Sequence, residues 1–207
     1  MVSTSTPTRT QTPTRTPTPS FTLTASPSGV APGGGITLSW TAPSGRPATD
    51  WVGLYAVGTP NTAYIAWGYT GGAPSGSMGF TAPGNGGRYE FQYLLNDGFT
   101  SGATSNTVLV SVPGFALTAA PSTVAAGGGF TATWTAPGGR PATDWIGLYA
   151  VGASNTAFIS WGYTGGATSG SRAFTAPGQP GQYELRYLLN DGYASATASN
   201  PVTVTAP

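Results

Sequence analysis

The sequence predicts an all-β protein made of two copies of one antiparallel unit behind an extended Thr/Pro-rich segment, and three observations predict it. Apolar residues alternate with polar ones in short runs separated by Gly, Pro and Asn clusters, and no helical period competes with them. Adding 94 to any residue number from 21 to 113 lands on a matching position without an insertion, and 63 of the 93 paired residues are identical. Residues 1–20 are dominated by Thr, Pro and Ser and have no such counterpart. The expected boundaries are therefore 1–20, 21–113 and 115–207, with Gly114 alone between the two units, a joint expected to give a semi-rigid rod of two beads.

Within the first unit, Phe21, Leu23 and Ala25 alternate with polar residues, and the glycine-rich PSGVAPGGG then breaks the chain. ITLSW resumes the alternation with Ile36, Leu38 and Trp40 on one face. DWVGLYAVG, TAYIAWGY and SMGFTA follow as further strands. Residues 88–95 are the clearest case, with Tyr89, Phe91, Tyr93 and Leu95 on one side and Arg88, Glu90, Gln92 and Leu94 on the other, Glu90 expected in solvent. Asn96-Asp97-Gly98 supplies the positive-φ residues of a turn, and NTVLVSV closes the unit. Seven or eight short strands in this length fit a sandwich of immunoglobulin type, for which about 100 residues is usual.

DWVGLYAVG and DWIGLYAVG, together with YEFQYLLNDGFTSGATSN and YELRYLLNDGYASATASN, resemble the SKICH domain and its relatives. The likeness covers 50–106 and 144–200, about half of the chain. It implies an immunoglobulin-like sandwich with a DWIGLY-type strand, and a role as an accessory or targeting module beside other domains.

Composition excludes several functions. Charged residues are only 6% of the chain, against roughly 25% in an ordinary domain. Seven arginines, no lysine and a net charge of +1 leave no stripe to neutralise phosphates, so nucleic acid is not an expected partner. No apolar run reaches the roughly 20 residues of a membrane span, and Met1-Val2-Ser3-Thr4 has neither the charged nor the apolar region of a signal peptide, so an exported form is expected to be mature or trimmed. With no Cys there is no disulfide and no thiolate metal site. Without His, Cys or Lys the usual general bases, nucleophiles and transition-metal ligands are missing too, and no catalytic residue, metal or cofactor is expected.

Three acids per unit remain: Asp50, Glu90 and Asp97, repeated as Asp144, Glu184 and Asp191. Asp97 belongs to the turn, and Asp50 follows Arg46 at a spacing that suits a structural pair. One or two carboxylates fall short of the about 6 to 8 oxygens that calcium takes.

Aromatic residues, 12% of the chain, offer the other candidate site. A strand that sets Ala63, Ile65 and Trp67 on one face is expected to turn them to the core. The competing reading is a platform for sugar rings made by Trp67 and Tyr69, and by Trp161 and Tyr163, with the two tyrosines beside the TGG loops the more exposed.

In residues 1–20 threonine occupies every even position from Thr4 to Thr18. A disordered linker or an O-glycosylated stalk accounts for the composition, with Thr6, Thr8, Thr12, Thr14, Thr16 and Thr18 as candidate O-glycosylation sites, since no N-linked sequon exists. It leaves the parity unexplained. In a strand, Thr6, Thr8, Thr10, Thr12, Thr14, Thr16 and Thr18 would line one face while the prolines, all at odd positions, leave one backbone edge intact for pairing. The expected function is accordingly a structural one: an extracellular, cell-surface fibre subunit that polymerises with itself by strand complementation through this segment. The alternative is a tandem carbohydrate-binding or adhesive module of a larger secreted protein, with glycans as partner.

Overall fold

The computed structural model describes residues 20–207, so the threonines Thr6 to Thr18 lie outside the described residues. Among those described the chain is all-β, without a helix. The first half runs through β1 (Thr22–Ser26), β2 (Gly29–Val30), β3 (Gly35–Thr41), β4 (Trp51–Ala56), β5 (Ala66–Tyr69), β6 (Ser75–Thr81), β7 (Gly87–Leu94), β8 (Ser101–Thr104) and β9 (Val108–Val110). One sheet has the order β1-β3-β6 and the other β2-β9-β7-β4-β5, with β8 also on β7. Pairing is antiparallel except between β2 and β9. The second half repeats the order with β10 (Ala116–Ala120), β11 (Thr123–Ala125), β12 (Gly129–Thr135), β13 (Trp145–Ala150), β14 (Ser160–Tyr163), β15 (Ser169–Thr175), β16 (Gly181–Leu188), β17 (Ser195–Ala198) and β18 (Val202–Thr205).

The alternation in the sequence explains the layers. β1 buries Leu23 and Ala25, and β3 buries Ile36, Leu38 and Trp40. They meet Val52 and Leu54 of β4 and Phe91 and Tyr93 of β7 in one core, and the second half has a core of its own. Each large side chain closed off in this way contributes about 1.5 to 3 kcal/mol.

β7 departs from the two-faced expectation. Leu94 is fully buried and Gln92 nearly so, although both lie opposite Phe91 and Tyr93. Their cover is β4, whose Trp51 and Tyr55 fold down over the outer face of the sheet and enclose Leu94 in a second small cluster. Gly53 makes this possible, because a Cβ there would stand 2.9 Å from ring atoms of both Trp51 and Tyr55. In the following turn the left-handed residues are Asn96 (φ 56) and Asp97 (φ 58).

The halves touch directly, beyond the link at Gly114, which is itself left-handed (φ 85). Gly86 donates its N–H to the Ser195 carbonyl at 2.7 Å, and Val112 donates to the Ala196 carbonyl at 2.8 Å. Ser195 Oγ donates in return to the Gly86 carbonyl. All four residues of β17 are consequently buried, whereas the matching β8 is largely exposed. Beside this contact lies a cleft of about 200 Å³ lined by residues of both halves, including Arg88, Glu184 and Arg186. The expectation of solvent around the outward acid fails here. Glu90 is half-buried, and Glu184 is 3% exposed under Arg186, which pairs with its Oε1 at 2.8 Å and lies over the Tyr149 ring.

Candidate functional site

Each half carries a cluster of exposed aromatic rings at the same place. In the first half β5 is the edge of its sheet and pairs with β4 through Trp51 opposite Tyr69 and Gly53 opposite Trp67. Its inner side presents Ala66 and Gly68, and Met78 of β6 fills the space beneath, so that a Cβ on Gly68 would stand 2.5 Å from Met78 Sδ. The large side chains therefore point outward. Ile65, Trp67 and Tyr69 are 51%, 49% and 45% exposed, which overturns the expectation that this face turns to the core. Ile159, Trp161 and Tyr163 are exposed in the same way.

The rings are organised around a buried indole. Trp51 is held flat over Gly53 and anchored by its Nε1, which donates to the Gly98 carbonyl at 3.0 Å. Tyr64, Trp67 and Phe99 stand nearly perpendicular to it, at centroid distances of 5.5, 6.2 and 6.0 Å. Tyr69 is in turn edge-on to Trp67 at 5.0 Å. These five rings and Asp97 line a small pocket of about 140 Å³. Tyr69 donates its hydroxyl to Asp97 Oδ1 at 2.9 Å, and this bond to a carboxylate holds the Tyr69 phenol above its ordinary pKa.

The second half builds the same pocket, also about 140 Å³, from Trp145, Phe158, Trp161, Tyr163, Asp191 and Tyr193. Around Trp145 the rings of Phe158, Trp161 and Tyr193 lie at 5.4, 6.0 and 6.2 Å and again nearly perpendicular. Tyr163 donates to Asp191 at 2.9 Å, with the same upward effect on its pKa.

The four residues singled out in the sequence, Trp67, Tyr69, Trp161 and Tyr163, thus lie in two matching pockets. Sequence reading missed the floor, Trp51 and Trp145, the further walls Tyr64, Phe99, Phe158 and Tyr193, and the acids at the rim. The glycine between Trp51 and Tyr55 was the available signal, since an apolar strand interrupted by glycine implies that a neighbouring ring lies across it.

The remaining acids serve the fold. Asp50 is fully buried and takes a bidentate pair from Arg46 at 2.6 and 2.8 Å, the Asn96 N–H at 2.9 Å and the Tyr93 hydroxyl at 3.1 Å. Asp144 has the same partners in Arg140, Asn190 and Tyr187. Among the described residues no three His, Cys, Asp or Glu side chains converge on one point.

No family model matches the chain, and no curated protein matches it. Among solved structures it is similar to a purple acid phosphatase from yellow lupin (Lupinus luteus) seeds, at 14% identity and a TM-score of 0.39 over 87% of this chain and 40% of that one. It is also similar to the BSP domain of a biofilm-associated protein, at 12% identity and a TM-score of 0.33 over 90% of this chain and 29% of that one.

Proposed function

We propose that the chain is a non-catalytic, extracellular adhesive module: two immunoglobulin-like sandwiches, each offering one aromatic site to a group that repeats along a surface polymer. The observation that carries this reading is the duplicated pocket. Exposed rings at this density are costly to leave in water, and two copies of the same six-residue arrangement point to a shared ligand. Five of its six acids are otherwise engaged: Asp50 and Asp144 in arginine pairs, Glu184 with Arg186, and Asp97 and Asp191 with tyrosines.

Two weak sites on one chain gain strength together when the ligand repeats. Trp67→Ala or Trp161→Ala alone is therefore expected to weaken binding to a polymeric ligand by about 100-fold or more while binding to a short fragment falls only about twofold. Affinity electrophoresis in polysaccharide gels, with circular dichroism as a check on folding, measures both. Equal migration of the wild type and the double variant in every polymer that retards the chain would rule the reading out.

A second reading, the self-assembling fibre subunit, is favoured by one observation. β6 forms an outer edge of its sheet over seven residues, Ser75–Thr81, without a charge or a proline to protect it. Residues 1–20 would pair with such an edge in the next copy. Electron microscopy is then expected to show filaments from the full chain and none after deletion of residues 1–20, and filaments from the truncated chain would remove the strand-donor idea.

A further inference from the structure

We propose that each pocket is an aromatic cage for a quaternary ammonium group, a trimethylammonium head of choline type carried on a surface polymer. The inference rests on the reading of the twin pockets as ligand sites and names the group they take.

The ring geometry is the first argument. A sugar stacks on an open, flat face, but here the Trp51 indole is 5% exposed and is reached only from within the pocket, between walls set at 77° to 85° to it. Rings set perpendicular to one another as floor and walls surround one small volume with aromatic surface on several sides. A cation held within about 6 Å of several centroids is what such a volume favours.

Polarity is the second. Each pocket contains one carboxylate, Asp97 or Asp191, and no cationic side chain lines it. None of the three ion pairs among the described residues involves either acid. Tyr69 and Tyr163 already spend their hydroxyl protons on these acids. One carboxylate that already accepts from a tyrosine offers little to the three N–H donors of a primary ammonium. An alkylated ammonium brings charge without donors, and its methyl groups suit ring faces. The volume of about 140 Å³ also suits a head group better than a whole drug-sized ligand, for which pockets start near about 300 Å³.

Comparison of the two halves is the third. Tyr64 corresponds to Phe158 and Phe99 to Tyr193, so the rings persist at both walls while the hydroxyl changes sides. At these two walls the π face is kept and the hydroxyl is not, while the tyrosine–aspartate pair at the rim is kept in both halves.

The test titrates the full chain with choline, with its neutral isostere 3,3-dimethylbutan-1-ol and with methyl glucoside, following tryptophan fluorescence. Saturable binding of choline, with the isostere at least tenfold weaker, is expected. Asp97→Asn combined with Asp191→Asn is expected to weaken choline about tenfold and leave the isostere unchanged, since asparagine tolerates the left-handed turn. Equal affinity for choline and isostere, or no saturable response to choline, overturns the proposal. Retention on agarose carrying immobilised choline supports a polymer-borne group, and binding seen only with phosphatidylcholine vesicles overturns that assignment. If a glycan binds in a way that Trp67→Ala and Trp161→Ala abolish but choline does not displace, the ammonium assignment fails and the pockets remain ligand sites. If neither variant changes any binding, both fail.

Discussion

Asp50→Ala is expected to destabilise the first half by about 3 to 5 kcal/mol, the cost of breaking a buried ion pair from one side. Asp50 is fully buried and joins three segments: Arg46 before β4, Tyr93 on β7, and the Asn96 N–H in the turn after β7. Removing it leaves Arg46, only 22% exposed, without a counter-charge, and leaves the Asn96 N–H without its acceptor. The same turn carries Asp97 and Phe99, so binding at the first pocket should weaken while the second pocket, tied by Asp144, is unaffected.

The pH dependence gives this prediction a signature. Burial pushes the Asp50 carboxyl up, but the bonds from Arg46, the Asn96 N–H and Tyr93 together outweigh it and hold the folded pKa below its ordinary 3.8. A depressed folded pKa means that the stabilisation is fully present above about pH 4 and is lost as pH falls through the folded value. Urea denaturation of wild type and variant should therefore differ most at neutral pH and converge in strong acid. A difference below about 1 kcal/mol, or one that stays constant into strong acid, would show that the network is not holding the fold.

The legible part of the fold was the part where one face meets the core and the other meets water. β1 and β3 obey that rule, and their buried residues are the ones the alternation marks: Leu23, Ala25, Ile36, Leu38 and Trp40. β7 does not, because Trp51 and Tyr55 cover its outer face from positions some forty residues away, a contact that no local pattern encodes. Period two also has no sign. It placed Ile65, just before β5, on one face with Trp67 and Tyr69 and assigned that face to the core, whereas the outward choice depends on Met78 of β6 occupying the space over Gly68. The pocket was half legible for the same reason. Its two exposed strand residues could be read from β5, while its floor and remaining walls come from β4 and two loops brought together by the sheet. Glu184 escaped altogether, because its cover is the Arg186 side chain at the edge of a cleft that both halves line.

Gly86→Pro is expected to uncouple the two halves while leaving each folded. Gly86 is where the first half accepts β17, through its N–H to the Ser195 carbonyl at 2.7 Å and its carbonyl to Ser195 Oγ. Any Cβ at this position would overlap the Ala196 carbonyl, and proline would also delete the N–H, leaving the Ser195 carbonyl without its donor. The lost bond and the buried acceptor together cost about 1 to 3 kcal/mol, on top of the overlap. The chain itself carries the control: position 180, the counterpart of 86, is already proline, so the second half folds with that residue in the corresponding loop. Pro180→Gly should change nothing at the contact between the halves. Scanning calorimetry is expected to give one coupled transition for the wild type and two separate ones for Gly86→Pro, with broader small-angle scattering distance distributions. A single transition at the wild-type temperature would mean that the Val112 to Ala196 bond and the close approach of Gly58 to Val151 hold the joint without Gly86.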